Sequence, residues 1–456
     1  MNRVASRSWI VVVLACLLLA GILFYIFDYL LNAGRWVQFP GSPHIFTGDQ
    51  LQKGTVVDRD GVLLLNYGDQ RTYAEQSQIR KATLHWVGDR VGNIQPPLIS
   101  EYTLQMCGYN ALDGVYAYGD HVGSMELTLS AALQTVAMEA IGDRRGVVAV
   151  MNYQTGEILC AVSTPTFDPD DVPDIAADTT GKYSGVYLNR FIQSTYTPGS
   201  IFKLVTTATA LESIPGIMER TFYCEGEMIL EDGKVVCTGF HGTQTLKQAL
   251  ANSCNCAFAQ ITELIGREKL DSYVQRFGVI ESLRFDGFAT KAGNFDASSP
   301  DRTSFCWSGI GQHKDVVNPC AYLNFVAAIA SEGSGVQPHV VRSVSFGSGT
   351  TYRARAAENN PIMSYQTAQI LKEMMRNNVT AKYGDEHFHG LEVCAKSGTA
   401  EIGNGKSNAL FTGFVDSEQY PLAFIVVIEE GGIGSTACVP VISSVLSACV
   451  EMMDGL

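Results

Sequence analysis

Charge is scarce in this chain. Asp, Glu, Lys and Arg make up 17% of its 456 residues, and no segment gathers lysine and arginine together. The net charge is −14. That argues against a nucleic-acid partner, because phosphate contacts need grouped basic side chains. Cys-x-x-Cys pairs are absent although there are twelve cysteines. The closest two, Cys254 and Cys256, are not at a usual zinc spacing, so no structural metal is expected. Cysteines within apolar segments, such as Cys160, Cys394 and Cys449, read as small buried hydrophobes. Internal repeats and low-complexity tracts are also missing. With 46% hydrophobic residues the chain can build a large core, which argues against disorder.

What is present starts at the N-terminus. Ile10 to Phe27 is an uncharged apolar run of 18 residues, preceded by Arg3 and Arg7. As a helix it spans about 27 Å, close to the hydrocarbon thickness of a bilayer. The two arginines put the N-terminus in the cytoplasm and everything after about residue 32 outside. Two cleaved readings compete. A signal peptide would want an A-x-A site, and none follows. Val13-Leu14-Ala15-Cys16 is similar to a lipoprotein box, but uncharged sequence continues well past Cys16. An uncleaved single-pass anchor is the expectation.

The rest divides by pattern. Residues 1–9 form a cytoplasmic N-terminus and 10–31 the transmembrane anchor. Residues 32–140 hold a juxtamembrane linker, with Gly34, Pro40, Gly41, Pro43 and Gly48, and a small N-terminal module. Thr55-Val56-Val57 and Val62 to Leu65 read as strands about a turn at Asp60-Gly61. Leu127 to Ile141 is apolar at helical spacing. Residues 141–456 form the second domain. It opens with a hairpin, Gly146 to Met151 and Ile158 to Val162. It closes with strands Ala409 to Val415 and Leu422 to Ile428 and a helix with Pro440 in its first turn. Strands at both ends around a helix-rich middle predict an α+β fold. Its central antiparallel sheet is assembled from distant parts of the chain and flanked by helices.

Three short motifs carry chemistry. Ser200-Ile201-Phe202-Lys203 follows Thr197-Pro198-Gly199 and opens a helix. Lys203 then lies one turn from Ser200, on the same face. A serine hydroxyl is a weak nucleophile, and a desolvated neutral amine can take its proton. Ser200 also reads as an ordinary N-cap. Ser253-Cys254-Asn255 sits in the middle of a helical pattern from Leu246 to Leu264. Lys396-Ser397-Gly398-Thr399 lies on a strand, where a glycine often marks close approach of a ligand's backbone; an ordinary edge strand is the alternative.

In this order, S-x-x-K, S-x-N and K-[ST]-G form the signature of penicillin-binding proteins and serine β-lactamases. The likeness extends further. Asn189-Arg190 followed by Tyr196-Thr197-Pro198-Gly199-Ser200-Ile201-Phe202-Lys203 resembles the N-R…Y-x-P-G-S-x-F-K run of penicillin-binding proteins. Thr155-Gly156-Glu157-Ile158-Leu159 and Ser163-Thr164-Pro165-Thr166-Phe167-Asp168-Pro169 also match, as do His241-Gly242, Gly311-Gln312 with Pro319, and Gly413-Phe414. Lys53-Gly54-Thr55-Val56-Val57-Asp58-Arg59-Asp60-Gly61 is similar to the R-G-x-I-x-D-R-x-G of the class B, monofunctional transpeptidases. Lys53, Ser130 and Asn318 depart from the family pattern, outside the triplet. No glycosyltransferase region is expected between anchor and transpeptidase.

The resemblance implies acyl transfer from D-Ala-D-Ala stem peptides of peptidoglycan, with β-lactams as covalent inhibitors. Ser200 would be the nucleophile and Lys203 the base. Ser253 would relay a proton to the leaving amine, and Asn255 would hold Lys203 and the substrate amide. Lys396 would supply positive potential. Ser397, Gly398 and Thr399 would bind substrate, the two hydroxyls taking the terminal carboxylate. The N–H groups of Ser200 and Thr399 would form the oxyanion hole. No cofactor is needed and no metal is expected. A polytopic membrane glycan polymerase is the implied partner of the anchor. A β-lactamase or β-lactam sensor would share the acylation site. The first needs a water-activating carboxylate, and no E-x-x-L-N stretch follows Asn255. The second would carry more cytoplasmic sequence. Cys224 and Cys237 flank an expected hairpin about Asp232-Gly233. An oxidising compartment would permit a disulfide, but simple pairing does not set them opposite, so two free thiols are expected.

Overall fold

A computed structural model describes residues 2–37, 46–47, 50–51, 53–68, 71–110, 112, 114–115, 121–357, 360–403 and 405–455. The apolar N-terminal run is one helix, Asn2–Val37, longer than the expected 10–31. Its segment Arg7–Val37 holds an 18-residue window with a mean hydropathy of 3.1 and is long and apolar enough to cross a membrane. Gly34, expected in the linker, lies inside this helix, against Leu104. Pro40, Gly41, Pro43 and Gly48 lie outside the described residues.

Two sheets follow. The first has six strands, in the order 349–353, 341–346, 123–127, 54–57, 63–67, 72–73. Strands 54–57 and 123–127 run parallel, and the other pairs are antiparallel. Asp58 ends its first strand. One carboxylate oxygen accepts the N–H groups of Asp60 (2.9 Å) and Val62 (2.7 Å), and the other accepts that of Ala131 (2.9 Å). The turn is thereby tied to the next helix. The hairpin 341–353 joins this sheet from late in the chain, so the expected boundary after residue 140 does not follow the sheets.

The second sheet has five strands, in the order 393–403, 406–415, 422–428, 146–152, 158–164, all antiparallel. This is the expected central sheet. Strands 146–152, 158–164 and 422–428 are buried along both faces because alternate side chains enter two cores. Val148, Val150, Phe424 and Val426 pack with the helices Ala131–Ile141 and Gly434–Asp454. Val147, Ala149, Ile425 and Val427 pack with the helices Lys203–Ser213 and Pro319–Ala330. The fold is therefore α+β, a sheet between helical layers.

Several local expectations change. The helix after residue 127 begins only at Ala131, because Gly123–Leu127 is a strand and Ser130 stands as the N-cap. Asn318, a departure from the family pattern, caps its helix through the N–H groups of Cys320 and Ala321. Pro440 lies in the second turn, since the last helix starts at Gly434. That helix is also long and apolar, yet it buries Cys438, Val441, Ile442, Val445 and Cys449 against the sheet.

Candidate active site

Gly199–Phe202 is a single 3-10 turn that runs into the helix Lys203–Ser213. Ser200 sits inside that turn and does not cap the helix. Gly199 has a φ of 54°, and a Cβ there would lie 2.8 Å from the carbonyl of Thr399. A Cβ on Gly398 would lie 2.9 Å from the carbonyl of Pro198. Two glycines thus let the serine turn and the strand 393–403 touch backbone to backbone. Gly398 serves that packing.

The second motif does not lie within one helix. Leu246–Ala251 and Asn255–Ile265 are separate, and Ser253 stands between them with a φ of 51°. A left-handed serine is uncommon and costs on the order of 1 kcal/mol or more. Cys254 caps the second helix, its sulfur accepting the N–H of Ala257 (3.4 Å). The break turns Ser253 and Asn255 towards the serine turn.

Lys203 has no solvent exposure and joins the first two motifs. Its amine contacts the Ser253 carbonyl (2.6 Å) and Asn255 Oδ1 (2.8 Å), both acceptors only. It also lies 3.1 Å from Ser200 Oγ and 3.2 Å from Ser253 Oγ. A neutral amine has two N–H donors and one lone pair. The two pure acceptors take the donors, which leaves the lone pair for a serine hydroxyl. Burial, then the charge of Lys396, push Lys203 well below the ordinary lysine range. That is the state a base requires.

Lys396 is also fully buried, and burial lowers its pKa to about 7. Its amine donates to the Ser397 carbonyl (2.7 Å) and to Ser253 Oγ (3.2 Å). Ser253 Oγ therefore lies between the two lysines. Ser397 is held by a residue no motif announced. Tyr383 OH accepts the N–H of Ser397 and bonds its hydroxyl, both at 2.9 Å. Thr399 Oγ1 accepts the N–H of Gly434 at 3.2 Å.

These residues open onto a cleft of about 650 Å³. Ser200, Ser253, Asn255, Ser397 and Thr399 line it, with Trp307, Gln312, His313 and Glu401. Its floor is the edge strand of the central sheet. On the far side of Cys254 lies a second cluster that sequence spacing discounted. The sulfurs of Cys224, Cys237 and Cys254 and a ring nitrogen of His241 all fall within 4.8 Å of one another. The three cysteines are not in disulfides. The intervening hairpin pairs Leu230 with Gly233, so its turn is Glu231-Asp232 and not Asp232-Gly233. Cys224 instead stands opposite Gly242 on a neighbouring strand pair.

The chain is similar to several known proteins. The peptidoglycan D,D-transpeptidase PbpA of Mycolicibacterium smegmatis is 29% identical over 338 residues, covering 68% of each chain. The D,D-transpeptidase domain of a peptidoglycan glycosyltransferase from Eggerthella lenta superposes with a TM-score of 0.76 at 25% identity. That match covers 89% of this chain and 99% of that one. Penicillin-binding protein A from M. tuberculosis, solved as a penicillin G acyl-enzyme complex, shares the fold with a TM-score of 0.74. It is 22% identical, over 88% of this chain and 100% of that one. Residues 146–446 match the family described as the penicillin-binding protein transpeptidase domain, and they hold all three motifs. The chain belongs to that family of transpeptidases.

Proposed function

We infer that this chain cross-links peptidoglycan by serine acyl transfer from D-Ala-D-Ala stem peptides, and that β-lactams acylate the same serine. The supporting observation is the solvent-free Lys203 amine, 3.1 Å from Ser200 Oγ with its N–H groups already taken. Lys203 removes the Ser200 proton as the oxygen attacks the penultimate D-Ala carbonyl. The N–H groups of Ser200 and Thr399 receive the oxyanion, each typically worth about 3–4 kcal/mol in such sites. The C–N bond to the terminal D-Ala breaks, and Ser253, within reach of both lysines, passes the proton to the leaving amine. Asn255 holds Lys203. Ser397 and Thr399 take the terminal carboxylate in the positive potential of Lys396. An amine of a second stem peptide then releases the acyl group. No step needs a cofactor.

Arg3 and Arg7, ahead of the apolar run Ile10 to Phe27, favour a cytoplasmic N-terminus, a single crossing and a catalytic domain outside the membrane. The family likeness makes the anchor the element to meet a polytopic glycan polymerase. Protease added to protoplasts is expected to digest the bulk of the chain.

The direct test is intact mass after incubation with labelled penicillin. One penicilloyl group per chain is expected, on Ser200, with slow release. Ser200→Ala should stay folded, since the side chain caps nothing, and take no label. Lys203→Ala should also take none. Label on another residue, or label persisting in Ser200→Ala, overturns the assignment. Fast hydrolysis of the acyl-enzyme would move the reading to a β-lactamase with the same nucleophile.

A further inference from the structure

We propose that Cys224, Cys237, His241 and Cys254 form a structural zinc site that clamps the wall of the cleft to the second motif. Zinc in a closed protein site is tetrahedral, with Zn–S near 2.3 Å and Zn–N about 2.0–2.1 Å. Those bonds set ligand edges of about 3.8 Å between sulfurs and about 3.5 Å between sulfur and nitrogen. The observed edges are 3.8 Å for Cys237 to Cys254 and 3.5 Å from His241 Nδ1 to both Cys224 and Cys237. A disulfide would need two sulfurs about 2.05 Å apart. Three of the six edges thus match a tetrahedral shell, and all four donors lie within 4.8 Å of one another; three soft ligands and one imidazole are a set that selects zinc among common divalent ions.

A second observation is the hydrogen bonding to sulfur. The N–H of Asn255 points at Cys237 Sγ (3.3 Å) and that of Ala257 at Cys254 Sγ (3.4 Å). Backbone donors aimed at sulfur favour the thiolate, the form that binds metal, and orient it as outer-shell partners of metal ligands do.

The chain pattern is Cys-x12-Cys-x3-His-x12-Cys. Cys237 and His241 are local partners. Cys224 ends a strand whose register sets it opposite Gly242, and Cys254 caps the helix Asn255–Ile265. Four ligands fill the shell and leave no open position, so the ion would be structural. Its place gives it consequence. Cys254 separates Ser253 from Asn255. Val236 accepts Asn255 Nδ2 at 2.9 Å, and Val236, Cys237 and Thr238 line the cleft. An ion here fastens that wall to the segment that holds Ser253 in its left-handed conformation.

The test uses the full chain in detergent, purified without chelator and supplied with zinc(II). Elemental analysis should find one zinc per chain. Cys237→Ser and His241→Ala should lose it, whereas Cys107→Ser, in the other sheet's module, should keep it. Because the variants could fail to fold, wild-type protein is also stripped and reloaded with cobalt(II). Sulfur-to-cobalt charge-transfer absorption with tetrahedral d–d bands is expected. Removal of zinc should lower the melting temperature and speed reaction of the three cysteines with a thiol reagent. No bound zinc and no cobalt spectrum in folded wild-type protein, with the three thiols reduced, overturns the proposal. So does a disulfide between any two of them. Metal content is read independently of penicillin labelling, so the two assignments can fail separately.

Discussion

The two sheets solve the same burial problem differently. Strands 146–152, 158–164 and 422–428 are almost wholly buried, because helices cover both faces. The first sheet alternates: in 54–57 and 123–127 every second residue is buried and the others are partly exposed. It rests on the molecule by one face. The three motifs stand on, or pack against, the doubly covered sheet. The groups proposed as nucleophile, base and carboxylate site must keep their spacing to a fraction of an ångström, and strand 393–403, buried from Val393 to Lys396, gives them a fixed support. The one-faced sheet carries none of these groups. Its buried face, with Val56, Leu65, Met125 and Leu127, shares one apolar core with Val147 and Ala149, and polar ties such as that of Asp58 to Ala131 add to it.

The contrast breaks first at Phe411. Its ring is fully buried in the central sheet, stacked on Phe424 at 5.8 Å and edge-on to Tyr383 at 5.2 Å. Phe411→Ala should cost about 3–5 kcal/mol by denaturant unfolding. It should also slow acylation, because Tyr383 orients Ser397. Asp58→Ala in the other sheet leaves three N–H groups without their acceptor and should cost about 2–3 kcal/mol. The penicillin-labelling rate should be unchanged. If Asp58→Ala slows labelling as much as it lowers stability, the two sheets are not functionally distinct.

Legibility followed the same division. Continuous apolar runs announced the central strands, and Leu422 to Ile428 is the observed strand. The family was readable from the three motifs because motif order survives any fold. The break at Ser253 was not, since apolar spacing continues through it and serine carries no preference for positive φ. The hairpin 341–353 was missed as part of the first sheet because non-local pairing leaves no periodic trace. Tyr383 has no motif. The thiol cluster was discounted on spacing, although its ligands meet only when two strands and a helix start are brought together.

A pH comparison sharpens the contrast at smaller scale. Lys396 has a folded pKa of about 7 against an ordinary 10.5, lowered by burial. Between those values the unfolded chain binds more protons than the native one, so stability rises with pH there. The cost of the buried amine is fully present below about 7. Wild-type protein should therefore gain stability from pH 7 to 9, and Lys396→Met should gain less, by about 1 kcal/mol or more. The same substitution removes a positive charge that holds Lys203 deprotonated. The acid limb of whatever acylation remains should move to higher pH. An unchanged stability slope would mean that Lys396 is not desolvated as the sheet's packing requires.

The smallest effect belongs to the seam between the sheets. Arg342, in the hairpin that joins the first sheet, reaches Glu126 at 3.0 Å and Glu157 at 3.6 Å. Glu157 precedes a central strand, so this guanidinium bridges both regions. Its side chain is 42% exposed, however, and that of Glu126 is 35% exposed. Water and salt screen such pairs, and holding long side chains in one geometry offsets much of the attraction. Arg342→Ala should cost less than about 1 kcal/mol, and that difference should shrink as ionic strength rises. Thermal melts at low and high salt read both quantities. A cost of several kcal/mol, independent of salt, would show that the exposed seam carries as much as the buried clamps. The reading of the first sheet as a platform held by one face and a few polar ties would then fail.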